Sequence, residues 1–320
     1  MELTAITAND AWRSAIYVMR DCGVLEHTRN GPALTIKEPV TLKLLNPRAR
    51  LLTSNVRRAN PIFHLMETVW MFAGCDSGDW LLPYNSKYSA YMEDDGRIHG
   101  AYGHRWRKQF GTDQLRDVVD MLRADGHTRQ AVLGMWDPRI DLAPNLRDRP
   151  CNTHIYFRRV DDELDMTVCN RSNDLVWGML GANIVHMTLL HELIAEAVRV
   201  PLGTYRVFTN NLHFYTQGYH NQENLLHNVA FADMYRMGIR PSEGLFTEDL
   251  DDTLDDCKEF VYKYTEDYDY RTDFMKKLVL PAQCVWEEWK GKRRRDTLFA
   301  LIMDIGYEDW REACRVWAGI

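Results

Sequence analysis

Between residues 151 and 209 the chain alternates in a way that leaves few folds open. CNTHIYFRRV (151–160) and ELDMTVCN (163–170) both read as strands, meeting at Asp161-Asp162. In the second, Leu164, Met166 and Val168 alternate with Asp165, Thr167 and Cys169, the period of a half-buried strand. Residues 183–199 then carry Met187, Leu190, Ile194 and Ala197 in one helical stripe. A Pro-Leu-Gly stop follows at 201–203, and TYRVFT (204–209) reads as a further strand. Upstream, AVLGMW (131–136) reads as a buried strand. It follows a helix marked by Leu115, Val118, Val119 and Leu122 that ends near Gly126. Strands and helices interleaved in this way predict an α/β fold.

A length of 320 residues allows one large domain or two ordinary ones. The character changes near residue 240. Residues 243–269 hold eleven acids and two lysines, and a basic cluster, KGKRRR, follows at 290–295 within a helical C-terminal stretch. Both charge runs are expected on a solvated surface. We expect a catalytic domain over 1–240 and an acidic and helical extension over 241–320 packed on it. The net charge of -7 argues against a general nucleic-acid binder. No run of about 18 apolar residues suggests a membrane helix. The N-terminal stretch lacks the basic lead and apolar core of a secretory signal. Seven scattered cysteines with no CxxC pair fit reduced thiols in a cytoplasm and argue against a structural metal site.

Several residues carry possible chemistry. PIFHLMETVWMFA (61–73) reads as a helix with Phe63, Met66, Trp70 and Ala73 on one stripe, and Glu67 falls on that same face. A carboxylate there is costly unless it is satisfied by a backbone or an arginine, or put to use. Cys151 stands at the start of a predicted strand, where its thiol can face a cleft. Nearby arginines would lower its pKa and make it a nucleophile, although a lone cysteine is more often a buried hydrophobe. Arg171-Ser172-Asn173-Asp174 ends the paired strand, and an antiparallel pair brings that end beside Cys151. Arginine and serine together suit a phosphate or carboxylate. His213 and Tyr215, taken alone, read as strand-end packing.

The order of these residues resembles the thymidylate synthase superfamily, which includes the phage pyrimidine-nucleotide hydroxymethylases. The motifs are TRNG (28–31), HLMETVWMFAG (64–74), YGHRWR (102–107), TRQAVLGMW (128–136), PC (150–151), RSNDLVWG (171–178), NIVHMTLL (183–190) and NNLHFY (210–215). The resemblance implies a large mixed β-sheet flanked by helices, with the helical C-terminal region as an addition. It also implies roles. Cys151 would add to C6 of the pyrimidine and make C5 a carbon nucleophile, with 5,10-methylenetetrahydrofolate as co-substrate and no metal. Arg29, Arg129, Arg171 and Ser172 would clamp the nucleotide phosphate, with Arg129 reaching in from the second subunit of a homodimer. A second arginine usual beside it is here Gln130. Glu67 would organise proton transfer through water, Tyr102 would stand near the cysteine and C5, and Asp174 would hold the pterin. His213 and Tyr215 would bind the sugar hydroxyl.

Asn183 matches the base-reading position. Its amide can both donate and accept, which suits the O4 and N3–H of uracil and favours dUMP over dCMP. The segment between Gly178 and Asn183 is one residue longer than usual. Other departures bear on the product. Tyr88 and Tyr91 replace two tryptophans near the folate, Asn152 a histidine, Asn170 a glutamine, and Trp177 a leucine. ACRVWAGI (313–320) shows no match to the tail with which synthases close their site. RSND and the following valine-aromatic-glycine look more like a hydroxymethylase. These features favour hydroxymethylation of dUMP over reductive methylation to dTMP. A dCMP hydroxymethylase or a catalytically idle nucleotide-binding homologue are the remaining alternatives.

Overall fold

The computed structural model describes residues 1–218, 222–265 and 267–320. The elements in chain order are β1 (Glu2–Ala5), α1 (Ala8–Cys22), β2 (Val24–Thr28), β3 (Gly31–Thr35), β4 (Val40–Leu44), α2 (Pro61–Phe72), α3 (Tyr102–Arg107), α4 (Gln114–Ala124), β5 (Val132–Gly134), α5 (Pro138–Asp141), β6 (Asn152–Val160), β7 (Glu163–Asn170), β8 (Asn173–Asp174), α6 (Asn183–Val198), β9 (Leu202–Thr209), β10 (Leu212–Tyr215), α7 (Gln222–His227), α8 (Leu250–Tyr262), α9 (Leu280–Lys290), α10 (Arg295–Met303) and α11 (Glu308–Ala318). Six strands form one mixed sheet in the order β1-β4-β9-β7-β6-β5, as expected. A second sheet, β2-β3-β10-β8, was not foreseen.

The β6–β7 hairpin turns at Asp161 and Asp162, both with positive φ (49° and 65°). Two left-handed residues match the strand twist in a two-residue turn, and aspartate tolerates that region better than most residues. The turn sets a register in which Asn152 faces Asn170. Helix α6 ends at Arg199, which is left-handed, so the stop comes two residues before the Pro-Leu-Gly signal. Strand β9 then takes in Leu202 and Gly203. A Cβ on Gly203 would lie 2.5 Å from Asp165 Oδ1, so glycine lets β9 run close beside β7.

Helix α2 begins at Pro61, with Asn60 Oδ1 accepting the Phe63 N–H at 3.1 Å. All twelve of its residues are buried. The single apolar stripe expected for it is corrected: α3, α6, α8, α9 and α11 pack around it, so each face meets protein. The hydrophobic core runs continuously from Leu3 to Trp317. The acidic run is largely exposed, but Asp256 is fully buried, accepting N–H bonds from Arg271 and Thr272, each at 2.9 Å. The KGKRRR cluster is exposed.

Two buried ion networks fix the frame. Glu192 on α6 holds Arg48 at 2.9 Å and also Arg50. Asp141 receives both terminal nitrogens of Arg105, at 2.8 and 2.7 Å, together with His99 at 2.7 Å. Arg149 donates to the carbonyls of Asp141 and Ala143, which ties down the segment leading to Cys151. Removing one member of such a buried set leaves an uncompensated charge, at a cost of about 3–5 kcal/mol.

Candidate active site

Cys151 lies one residue before β6, half-buried, next to the bulge between Asn152 and His154. The hairpin register brings Arg171 to the same end. Its N–H donates to Cys151 O at 2.9 Å, its Nε to Pro150 O at 3.0 Å, and its Nη2 to Arg149 O at 3.0 Å. Nη2 also lies 3.8 Å from Cys151 Sγ. Burial pushes the thiol above its ordinary pKa. Arg171 and Arg29 pull it down, while Asp148 and Asp174 push it up. The expectation that nearby arginines leave a lowered thiol pKa is therefore corrected: desolvation wins over two arginines.

Asn173 and Asp174 form the two-residue strand β8, which pairs in parallel with Leu212 and His213 of β10. This joins the RSND motif to the His-x-Tyr pair. His213 and Tyr215 meet edge to face, ring centroids 4.9 Å apart. Ser172 Oγ lies 3.5 Å from His213 Nδ1, and Asn30 Nδ2 donates to the Tyr215 hydroxyl at 3.2 Å. Burial lowers the His213 pKa, against the opposing pull of Asp174. Arg29 sits exposed at the β2–β3 turn, close enough for its charge to act on Cys151. Arg129 is different. It is exposed in the loop before β5 and makes no hydrogen bond or ion pair among the described residues.

Asp174 Oδ1 accepts the N–H groups of Val176 and Trp177 at 2.6 and 2.8 Å, opening a widened, π-type turn over Leu175–Ala182. Leu180 and Gly181 leave helical geometry within it. The extra residue noted in this segment is absorbed there, and Asn183 still opens α6. Asn183 Nδ2 donates to Asn173 Oδ1 at 3.3 Å. A Cβ on Gly178 would lie 2.3 Å from that same oxygen, so only glycine fits beside the amide pair.

Glu67 projects from α2 as a buried carboxylate. The Tyr88 hydroxyl donates to its Oε1, and His186 Nε2 of α6 lies 3.1 Å from its Oε2. His64 meets His186 edge to face at 6.3 Å. Tyr102 accepts the Asn152 N–H at 3.4 Å, next to the cysteine. Burial raises the pKa of both Tyr88 and Tyr102 well above the ordinary value, so both phenols stay protonated. Phe63, Tyr88 and Tyr91 contact edge to face in sequence, and Tyr91 is 48% exposed. Trp177 is 42% exposed, with Lys87 Nζ 4.5 Å from its ring centre. The end of α11 reaches the segment before α2, where Arg58 donates to Trp317 O at 3.1 Å.

The structure thus brings together Cys151, Arg29, Arg171, Ser172, Asp174, His213 and Tyr215, with Asn183 beside Asn173 and Glu67 beside Tyr88. Arg129 is not brought to them within the chain. Three residues escaped the sequence reading, Asp148, His186 and His64, and Asn173 stood in it without a role of its own. A histidine in the apolar run of α6 was a visible signal for His186; nothing in spacing marked Asp148.

Fold and site define an α/β protein that sets a cysteine thiol among arginines, phenols and carboxylates. The chain belongs to the thymidylate synthase family, whose model matches residues 20–270. It is 34% identical over 314 residues to the deoxyuridylate hydroxymethyltransferase of Pseudomonas phage M6, covering 95% of this chain and 89% of that protein. The deoxyuridylate hydroxymethyltransferase of Bacillus phage SP01 is 32% identical over 244 residues, 72% of this chain and 63% of the relative. That of Delftia phage PhiW-14 is 32% identical over 204 residues, 60% and 56% of the two chains. The motif resemblance is borne out.

Proposed function

We propose that this chain hydroxymethylates dUMP at C5, with 5,10-methylenetetrahydrofolate as the one-carbon donor. The observation that carries the reading is near full-length similarity to a deoxyuridylate hydroxymethyltransferase. The site supports it. Arg171, Arg29 and Ser172 form a phosphate-binding edge, with His213 and Tyr215 placed for the sugar hydroxyl. Asn183, held by Asn173, presents amide donor and acceptor groups to the uracil edge. The Cys151 thiol adds to C6. Its proton must leave against the cost of burial, and the guanidinium of Arg171 is the charge at hand to stabilise the thiolate. Glu67, flanked by Tyr88 and His186, is placed to hold the water that exchanges protons with the ring.

The residues fit a folate. Trp177 and Tyr91 are exposed flat rings, and Asp174 supplies a carboxylate beside them. Asp174, Trp177 and Tyr88 would hold it, and when bound it supplies the one-carbon unit at C5. Tyrosines in place of tryptophans put the Tyr88 hydroxyl into this wall, on Glu67, which favours water over a dry stack.

The working unit is a homodimer, joined through the open face of the six-stranded sheet. Tyr156 pairs with Thr167 and Thr167 with Arg206; His154 pairs with Cys169 and Cys169 with Phe208. Tyr156 and Phe208 are 43% and 36% exposed on that face. Tyr156 and Phe208 stand there among polar side chains such as Thr167 and Arg206, the mixed surface that a subunit interface buries. Residues 241–320 form the helical extension packed on the 1–240 catalytic domain.

The test is to give the purified protein dUMP and the folate and weigh the nucleotide. A gain of one CH2O is expected, and Cys151→Ala should lose all turnover, including tritium release from C5-labelled dUMP. A methyl product with dihydrofolate would make it a synthase. No tritium release from the wild type would make it an idle homologue.

A further inference from the structure

Hydroxymethylation needs a water to add where a synthase needs a hydride, so a group must take the proton of that water. Glu67 is committed to Tyr88 and faces His186. A second carboxylate stands near the cysteine. Asp148 lies three residues before Cys151, and its Oδ2 accepts the Gly100 N–H at 2.9 Å. A Cβ on Gly100 would lie 2.3 Å from that oxygen and 3.0 Å from Pro150 N, so the carboxylate approaches only because residue 100 is glycine. No cation lies within ion-pair distance of Asp148 among the described residues. Arg105 and His99 are spent on Asp141, and Arg171 on the carbonyls of 149 and 150.

We propose that Asp148 is the general base that activates the water in the hydroxymethylation step. The proposal rests on the dUMP hydroxymethylation reading above. The step balances. Water oxygen bonds to the exocyclic methylene carbon of the Cys151-bound nucleotide, and its proton passes to the Asp148 carboxylate. The methylene π pair moves to C5 and O4 as an enolate. That enolate then expels the Cys151 thiolate from C6 and restores the ring double bond. The proton on Asp148 returns to the thiolate or to solvent, and no oxidant or reductant is needed.

The electrostatics agree. The Asp148 charge acts on Cys151, Tyr88, Tyr91 and Tyr102, so all four lie within its electrostatic reach. Burial raises its own pKa, against the Gly100 and Arg149 amides, His99 and Arg171. A carboxylate moved toward neutrality is a better proton acceptor for water than an ordinary one.

The experiment separates this step from the earlier ones. Asp148→Asn keeps an oxygen to accept the Gly100 N–H. It should release tritium from C5-labelled dUMP at least as fast as the wild type, because loss of the charge eases the Cys151 thiolate. Its 5-hydroxymethyl product should fall by about 10²-fold or more. A small thiol added to the assay, which brings its own anion, should be captured as a 5-thiomethyl nucleotide. Asp148→Glu, which moves the carboxylate by one methylene, should show the same split and covers the case in which Asp148→Asn fails to fold. Unchanged hydroxymethyl product, or product and tritium release falling together in both variants, would overturn the role. A methyl product from the wild type alone would instead overturn the hydroxymethylation reading, and the two failures cannot be confused.

Discussion

In the proposed reading a single amide, Asn183, sets the substrate preference, and a second amide, Asn173, orients it. Asn173 Oδ1 takes one hydrogen of Asn183 Nδ2, which leaves the other hydrogen and the carbonyl for the base. Asn173 Nδ2 is buried with no partner among the described residues. A carboxylate at position 183 could therefore be satisfied by rotating the Asn173 amide, at little structural cost. Asn183→Asp should raise the kcat/KM ratio of dCMP over dUMP by about 10²-fold, because a buried site that hydrogen-bonds one base edge leaves groups unpaired on the other. Steady-state kinetics with the two nucleotides check this, and a wild type that already prefers dCMP would refute the uracil reading of Asn183. At this scale the sequence was informative where a residue is proposed to touch the reaction by itself: Cys151, Glu67 and Arg171 stand in long, specific motifs. Residues that act through a neighbour were not legible. Asn173 reads as one letter of RSND, and His186 as a polar interruption of an apolar helix, until folding places them against Asn183 and Glu67. The thiol pKa was misjudged for a related reason. Arginine neighbours can be inferred from spacing, but the burial that outweighs them cannot.

The element most exposed to perturbation is the widened turn over Leu175–Ala182. Asp174 caps its start, Arg57 Nη2 donates to Val176 O at 2.8 Å, and Asn183 leaves its end. A Cβ on Gly181 would lie 2.4 Å from the Val176 carbonyl oxygen, which is backbone and cannot swing away. Gly181→Ala should cost about 1–3 kcal/mol of stability and raise KM for dUMP several-fold, since Asn183 stands two residues on. Urea denaturation and steady-state kinetics should show both effects, and an unchanged KM would mean that the turn does not position the amide. The extra residue in this segment was countable in the sequence, but its solution was not. A one-residue insertion can slip a whole helix or be absorbed locally, and packing against Arg57 and Asn173 selects the second. The β6–β7 hairpin was legible because strand period and turn chemistry agree over twenty residues. The burial of α2 on all sides was not, because helices from residues beyond 240 cover the face that local periodicity leaves open.

For the whole molecule, the net charge of -7 divides unevenly. Residues 243–269 carry two lysines against eleven acids, or -9, which leaves the rest at +2. The acidic surface belongs to α8 and its flanks, and the arginine-lined end of the hairpin keeps a local field that suits a phosphate. In the proposed reading one contributor to that field comes from a second subunit. Arg129 has no partner among the described residues and sits in the loop that leads into β5, beside the open sheet face. A two-fold dimer formed through that face would give each site an arginine from the partner. Arg129→Ala and Cys151→Ala should each be inactive alone, the first for want of phosphate binding and the second for want of the nucleophile. Mixed after mild dissociation, they should form hybrid dimers in which one site carries both defects and the other neither. Random re-pairing makes half of the dimers hybrid, so activity should recover to about one quarter of the wild-type value. Tyr156→Asp places a charge on the sheet face and should shift the protein toward monomer in sedimentation and abolish that recovery. If the mixed variants stay inactive while remaining dimeric, Arg129 serves its own subunit, and the shared site is wrong.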